Sequence, residues 1–112
     1  MEEVRAFYER FVGLKAGPRP PFSSFGYWLY ADEKDLLHLS EEPPQDKRRR
    51  GSDLTFDHVA LESSDWTFHV QDLRAAGIPF VEEFVPSTGR RQIFFRDPAG
   101  NGVELIFPAS EA

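Results

Sequence analysis

The sequence predicts an α+β fold built from two similar halves, the first one strand short of the second. Three observations carry this prediction. Two segments place apolar residues at helical spacing. Between them and after them lie short runs of strand-forming residues bounded by turn signals. The order of elements also repeats at an offset of about 66 residues. A chain of 112 residues suits one small domain holding both halves. The first module covers about residues 1–42, a linker 43–53 and the second module 54–108.

The first helix begins almost at Met1. Val4, Phe7, Phe11 and Leu14 form its apolar stripe, Glu2 and Glu3 suit the positive end of the helix dipole, and Gly13 closes it. Gly17-Pro18-Arg19-Pro20-Pro21 must then run extended, because proline neither donates a backbone bond nor tolerates a helical residue before it. Gly26–Ala31 (GYWLYA) reads as a strand, and Asp32-Glu33-Lys34-Asp35 turns the chain into a second strand at Leu36–Leu39. Phe56–Glu62 opens the second module as a strand. A helix over Asp65–Ala76 follows, with Ser63 or Ser64 as N-cap, Trp66, Val70 and Leu73 on one face, and Gly77 at its end. Strands at Phe80–Val85, Gln92–Arg96 and Val103–Phe107 complete the chain, the last two joined by the turn residues Asp97–Asn101. Sliding the sequence by 66 places Trp28 on Phe94, Leu37 on Val103, His38 on Glu104 and Leu39 on Leu105. His58 has no counterpart, since that position falls before Met1, so the first module lacks its opening strand.

Composition narrows the function. Hydrophobic residues make up 40% of the chain, enough for a packed core and against disorder. No apolar run approaches the roughly 18 residues of a membrane span, and no secretory leader opens the chain. The absence of Cys excludes a thiol nucleophile and thiolate ligands, and fits the reducing cytoplasm in which we expect the protein. A net charge of −6 argues against nucleic acid as the main partner. The one basic run, Lys47–Arg50, reads as part of a solvated linker.

Three residues inside strands could carry chemistry. Alternation puts His58 on one face with Phe56 and Ala60, while Glu104 and His38 each stand between leucine or valine neighbours and project away from the apolar side. A simple hairpin over the last two strands sets Phe94 opposite Glu104 and Arg96 opposite Gly102. Two imidazoles and a carboxylate on converging strand faces suit a divalent metal with open positions for substrate oxygens. A single His in a strand is nevertheless more often a hydrogen-bonded or solvent-facing residue, so spacing alone names no function. His69 borders the packed helix face and reads as structural. Arg19, Arg91 and Arg96 read as surface or turn residues, with contact to an anionic substrate as the alternative. No phosphate-binding glycine loop and no Ser-His-Asp arrangement is present.

Arg91–Leu105 (RQIFFRDPAGNGVEL) resembles the C-terminal signature of the glyoxalase/bleomycin resistance/extradiol dioxygenase superfamily, of vicinal oxygen chelate fold. That signature runs roughly F-x-D-P-D-G-N-x-x-E-L. Asp57–Leu61 (DHVAL) resembles the opening strand of the family's second module, and Phe7–Leu14 (FYERFVGL) its first helix. The resemblance implies two βαβββ modules forming a half-open curved sheet around a central site. It implies metal roles for His58, Glu104 and His38, with zinc, nickel, manganese, cobalt or iron as the divalent ion. The family's fourth ligand comes from the strand that this chain lacks, which leaves a three-ligand site. The implied activity is of the lyase or isomerase type, similar to lactoylglutathione lyase, with Glu104 also moving a proton. Trp28 and Phe94, opposite His38 and Glu104 in the hairpin pattern, either line an apolar pocket for a small-molecule substrate or pack in the core, and Gln92 is a further expected substrate contact. Ring cleavage and thiol addition also occur on this fold. The alternative is a metal-free small-molecule binding protein of the bleomycin-resistance type. The open edge left by the missing strand has two resolutions: pairing in a homodimer, or a strand encoded upstream of Met1.

Overall fold

A computed structural model describes residues 1–41 and 57–109. The predicted linker at 43–53 and the start of the predicted strand at Phe56 lie outside the described residues. The chain divides into two compact units, Met1–Arg48 and Arg49–Ala112.

The first unit opens with helix α1 (Glu2–Phe7), which widens into a π-helical turn over Tyr8–Val12. Strands β1 (Lys15–Gly17), β2 (Gly26–Ala31) and β3 (Lys34–Ser40) follow and pair antiparallel in that order. The sequence predicts one regular helix up to Gly13, and the structure corrects this. The Gly13 N–H donates to Tyr8 O, five residues back, at 2.9 Å. Phe7, Tyr8 and Phe11 are all buried along this stretch. Gly13 then leaves the helix at φ +89, a conformation in which a Cβ is strained. Leu14, expected on the helix stripe, is buried just beyond that cap. The β2–β3 turn is tighter than expected, using Asp32 and Glu33, so β3 already starts at Lys34. The Tyr27 hydroxyl donates to Glu2 and the Arg5 guanidinium lies over the Tyr27 ring, which puts α1 on the sheet face of Tyr27. Trp28 and His38 are register partners on the opposite face.

The second unit forms a four-stranded sheet in the order β4-β7-β6-β5, from β4 (His58–Glu62), β5 (Val81–Val85), β6 (Arg90–Arg96) and β7 (Gly102–Phe107). Helix α2 (Trp66–Ala75) lies between β4 and β5 in sequence and provides the crossover that parallel pairing of β4 with β7 requires. Its N-cap is Asp65, not Ser63 or Ser64. The Asp65 carboxylate accepts the Phe68 N–H at 3.4 Å, while the Ser63 hydroxyl is engaged by His69 Nε2 at 3.2 Å. The helix covers the face that carries Ile93, Phe95, Val103, Leu105 and Phe107, all buried. His69 packs against Phe107, with ring centroids 5.5 Å apart, which bears out its structural reading.

The unit 1 sheet corresponds to β5, β6 and β7 of unit 2. The position that β4 takes in unit 2, beside β7, has no strand beside β3 among the described residues. No described helix is long and apolar enough to cross a membrane.

Candidate functional site

The face of the unit 2 sheet away from α2 is laid out by register. One row across the strands holds His58, Gly102 and Arg96, and the next holds Ala60, Glu104, Phe94 and Val81. The hairpin pairings expected from the sequence, Phe94 with Glu104 and Arg96 with Gly102, are those observed. They follow from the Asp97–Asn101 loop. There the buried Asp97 carboxylate accepts the backbone N–H groups of Ala99 and Asn101 at 2.9 and 2.8 Å and the Asn101 amide at 3.1 Å.

His58 and Glu104 meet on this face, with His58 Nε2 2.8 Å from Glu104 Oε1. The Glu104 side chain is only 7% exposed, so its two oxygens must find partners. Gln92, on the adjacent strand β6, donates its Nε2 to Glu104 Oε2 at 3.0 Å. The second ring nitrogen of His58, Nδ1, lies 2.6 Å from Asp57 Oδ2. The Phe94 ring stands edge-on to the imidazole, 5.7 Å away at 87°. The hydrogen bond with Asp57, seconded by the one with Glu104, raises the imidazole above its ordinary pKa. The same His58 bond holds the Asp57 carboxyl below the usual carboxylate range.

A cavity of about 490 Å³ opens beside His58. Phe80, Val81 and Phe94 supply apolar wall, with His58 and Arg96 among its polar lining and Gly102 between them in the sheet. Its size lies within the range of small-molecule sites.

His38 and Trp28 come together in unit 1. Their rings stack 3.8 Å apart at 5°, and His38 Nε2 is 2.5 Å from Asp35 Oδ2. That bond holds the Asp35 carboxyl below the usual range. Among the described residues no group of three or more His, Cys, Asp and Glu side chains is gathered for a metal ion. Within unit 2, Asp57 and Glu104 sit on opposite nitrogens of the His58 ring, so the three cannot share one ion.

Sequence reasoning missed two contributors. Strand alternation alone sets Asp57 on the face opposite His58, but β4 begins at His58, and Asp57 precedes the strand. Its position next to a histidine was the only available signal. The Ile78–Val81 segment that walls the cavity carried no chemical residue to mark it.

The family model of the Glyoxalase/Bleomycin resistance protein/Dioxygenase superfamily matches residues 1–105. The chain belongs to this superfamily. Among solved structures it is similar to a glyoxalase/dioxygenase from Nostoc punctiforme, at 17% identity and a TM-score of 0.74, over 96% of this chain and 82% of that one. It is also similar to a lactoylglutathione lyase from Agrobacterium tumefaciens (21% identity, TM-score 0.65, 97% of this chain and 86% of that one). An antibiotic binding protein from Streptomyces sp. CB03234 matches at 21% identity and a TM-score of 0.69, over 96% and 85% of the two chains. At these identities the likeness shows the superfamily's vicinal oxygen chelate fold, which the element order of both units fits. No curated protein matches the chain. The superfamily spans enzymes and binding proteins, and its members typically bind divalent metals.

Proposed function

We propose that this glyoxalase-superfamily chain is a metal-dependent enzyme of the lyase or isomerase type, acting on a small substrate with two neighbouring oxygens. The observation that carries this reading is the His58–Glu104 pair, 2.8 Å apart on neighbouring strands, with His58 lining the cavity. Its donor chemistry fits a divalent ion: an imidazole nitrogen and a carboxylate oxygen, side by side on one face. Asp57 on Nδ1 supplies the outer carboxylate that fixes a ligating histidine, leaving Nε2 as the donor. His38 is the third ligand in this reading, and a complete shell needs at least three.

A divalent ion held there supplies Lewis-acid stabilisation of negative charge developing on substrate oxygens. Glu104 takes a proton from the substrate and returns it, and Gln92 keeps the carboxylate turned toward the site. Phe94 and Trp28 offer ring faces and edges to the substrate body, and Gln92 adds an amide. The expected assembly is a homodimer in the cytoplasm that covers the edge of β3, beside which no strand pairs among the described residues.

The test is elemental mass spectrometry of untagged protein beside a His58→Ala variant. About one zinc, nickel, manganese, cobalt or iron ion per site, absent from the variant, supports the enzyme. Absence of metal even after incubation with each ion overturns it. The second reading, a metal-free binding protein, is favoured by the apolar wall of the cavity, and that second outcome would support it.

A further inference from the structure

The row His58–Gly102–Arg96 has a property that the pair at its first position does not use. Gly102 is the register partner of both neighbours, so His58 and Arg96 flank it two strand spacings apart, about 10 Å. Nothing larger than glycine fits between them. A Cβ at Gly102 would lie 2.3 Å from Asp57 O and 2.8 Å from His58 Cβ. The floor between imidazole and guanidinium is therefore bare backbone. Along β6 from Arg96, on the same face, comes Phe94, and Val81 is its partner on β5. These two and Phe80 form an apolar wall of the same cavity.

We propose that this cavity holds a small molecule with a carboxylate on an apolar body, Arg96 being the anion partner and the Phe80–Val81–Phe94 wall receiving the body. A guanidinium carries five N–H donors in a planar fork that matches a carboxylate. Arg96 spends Nη1 on Gly100 O at 2.9 Å, which anchors the side chain at the mouth of the Asp97 loop. Asp57, on the His58 side, repels a second carboxylate, so the ligand's anion meets Arg96 from the side of Phe94 and Val81. This inference names the substrate class of the site proposed above and rests on that face being the substrate face, but not on a metal.

Two probes of nearly equal shape test it: 3-phenylpropanoate and the neutral 3-phenylpropanamide, titrated into the whole protein by NMR. The carboxylate is expected to bind about tenfold more tightly than the amide, the size of one charge-assisted contact. Arg96→Gln removes that preference, whereas Arg96→Lys keeps part of it. Val81→Asp, an exposed change on an edge strand, weakens the carboxylate more than the amide and decides the matter if Arg96→Gln does not fold. Equal affinities in the unaltered protein, a preference that survives Arg96→Gln, or no binding of either probe overturns the subsite. The metal measurement is separate. Metal lost on His58→Ala with no role for Arg96 leaves the enzyme standing and the subsite refuted. A carboxylate preference in a chain that takes no metal does the reverse.

Discussion

Glu104 shows how much a single position depends on its partners. Its carboxylate is buried, and one oxygen relies on the Gln92 amide. Removing that donor leaves a buried acceptor unsatisfied, which costs about 1–3 kcal/mol. Gln92→Ala is thus expected to lower the urea midpoint, and an unchanged midpoint would mean that water replaces the amide. Strand alternation made Glu104 and His58 candidates, and the resemblance of Asp57–Leu61 and Arg91–Leu105 to family segments supplied their expected roles. The sequence named Gln92 as a substrate contact without foreseeing its bond to Glu104, since that depends on the β6–β7 register. Asp57 stayed illegible for a physical reason: the alternation rule holds only within the strand, and it stands one residue outside.

Between elements, Gly102 sets how closely β4 approaches β7. Gly102→Ala forces its methyl group against the Asp57 carbonyl and the His58 side chain, and backbone on one side cannot swing away. Overpacking of this kind costs roughly 1–3 kcal/mol. Thermal unfolding should report the loss, and His58 NMR resonances should shift with it. In the first unit, the Tyr27 hydroxyl ties β2 to α1 through Glu2 and holds the Glu2 carboxyl below its usual range, with Arg5 assisting. A depressed carboxylate contributes stability at neutral pH that is lost as pH falls through its lowered pKa. Tyr27→Phe should therefore lower the denaturation midpoint near about pH 7, and the difference should shrink near about pH 3. The three-residue β1 carries no readable pattern, whereas strands β2 to β7 and α2 were readable to within a few residues because turn chemistry brackets them. The π-helical turn was not, since Val4, Phe7, Phe11 and Leu14 satisfy a regular helix equally well, and the burial of Tyr8 emerges only from packing.

Across the whole molecule, the 66-residue offset seen in the sequence recurs in hydrogen-bonded register. Trp28 pairs with His38 as Phe94 pairs with Glu104, each an aromatic residue opposite a polar one on the helix-free face of its sheet. Among the described residues the likeness breaks at one strand, and so each unit presents a different edge. Sedimentation at micromolar concentration is expected to give twice the chain mass, in keeping with pairing along the first sheet's open edge. A monomer would show that this edge tolerates water.

The crossover through α2 gives the chain an order of assembly. In the first unit every strand pairs with a near neighbour in sequence, so its hairpins close short loops. The pairing of His58 with Gly102 spans more than a third of the chain, and such closures come slowly. Because His58 rides on β4, its contact with Glu104 forms only when this long-range pairing does. Recovery of that contact after dilution from denaturant therefore reports the closure of β4 onto β7.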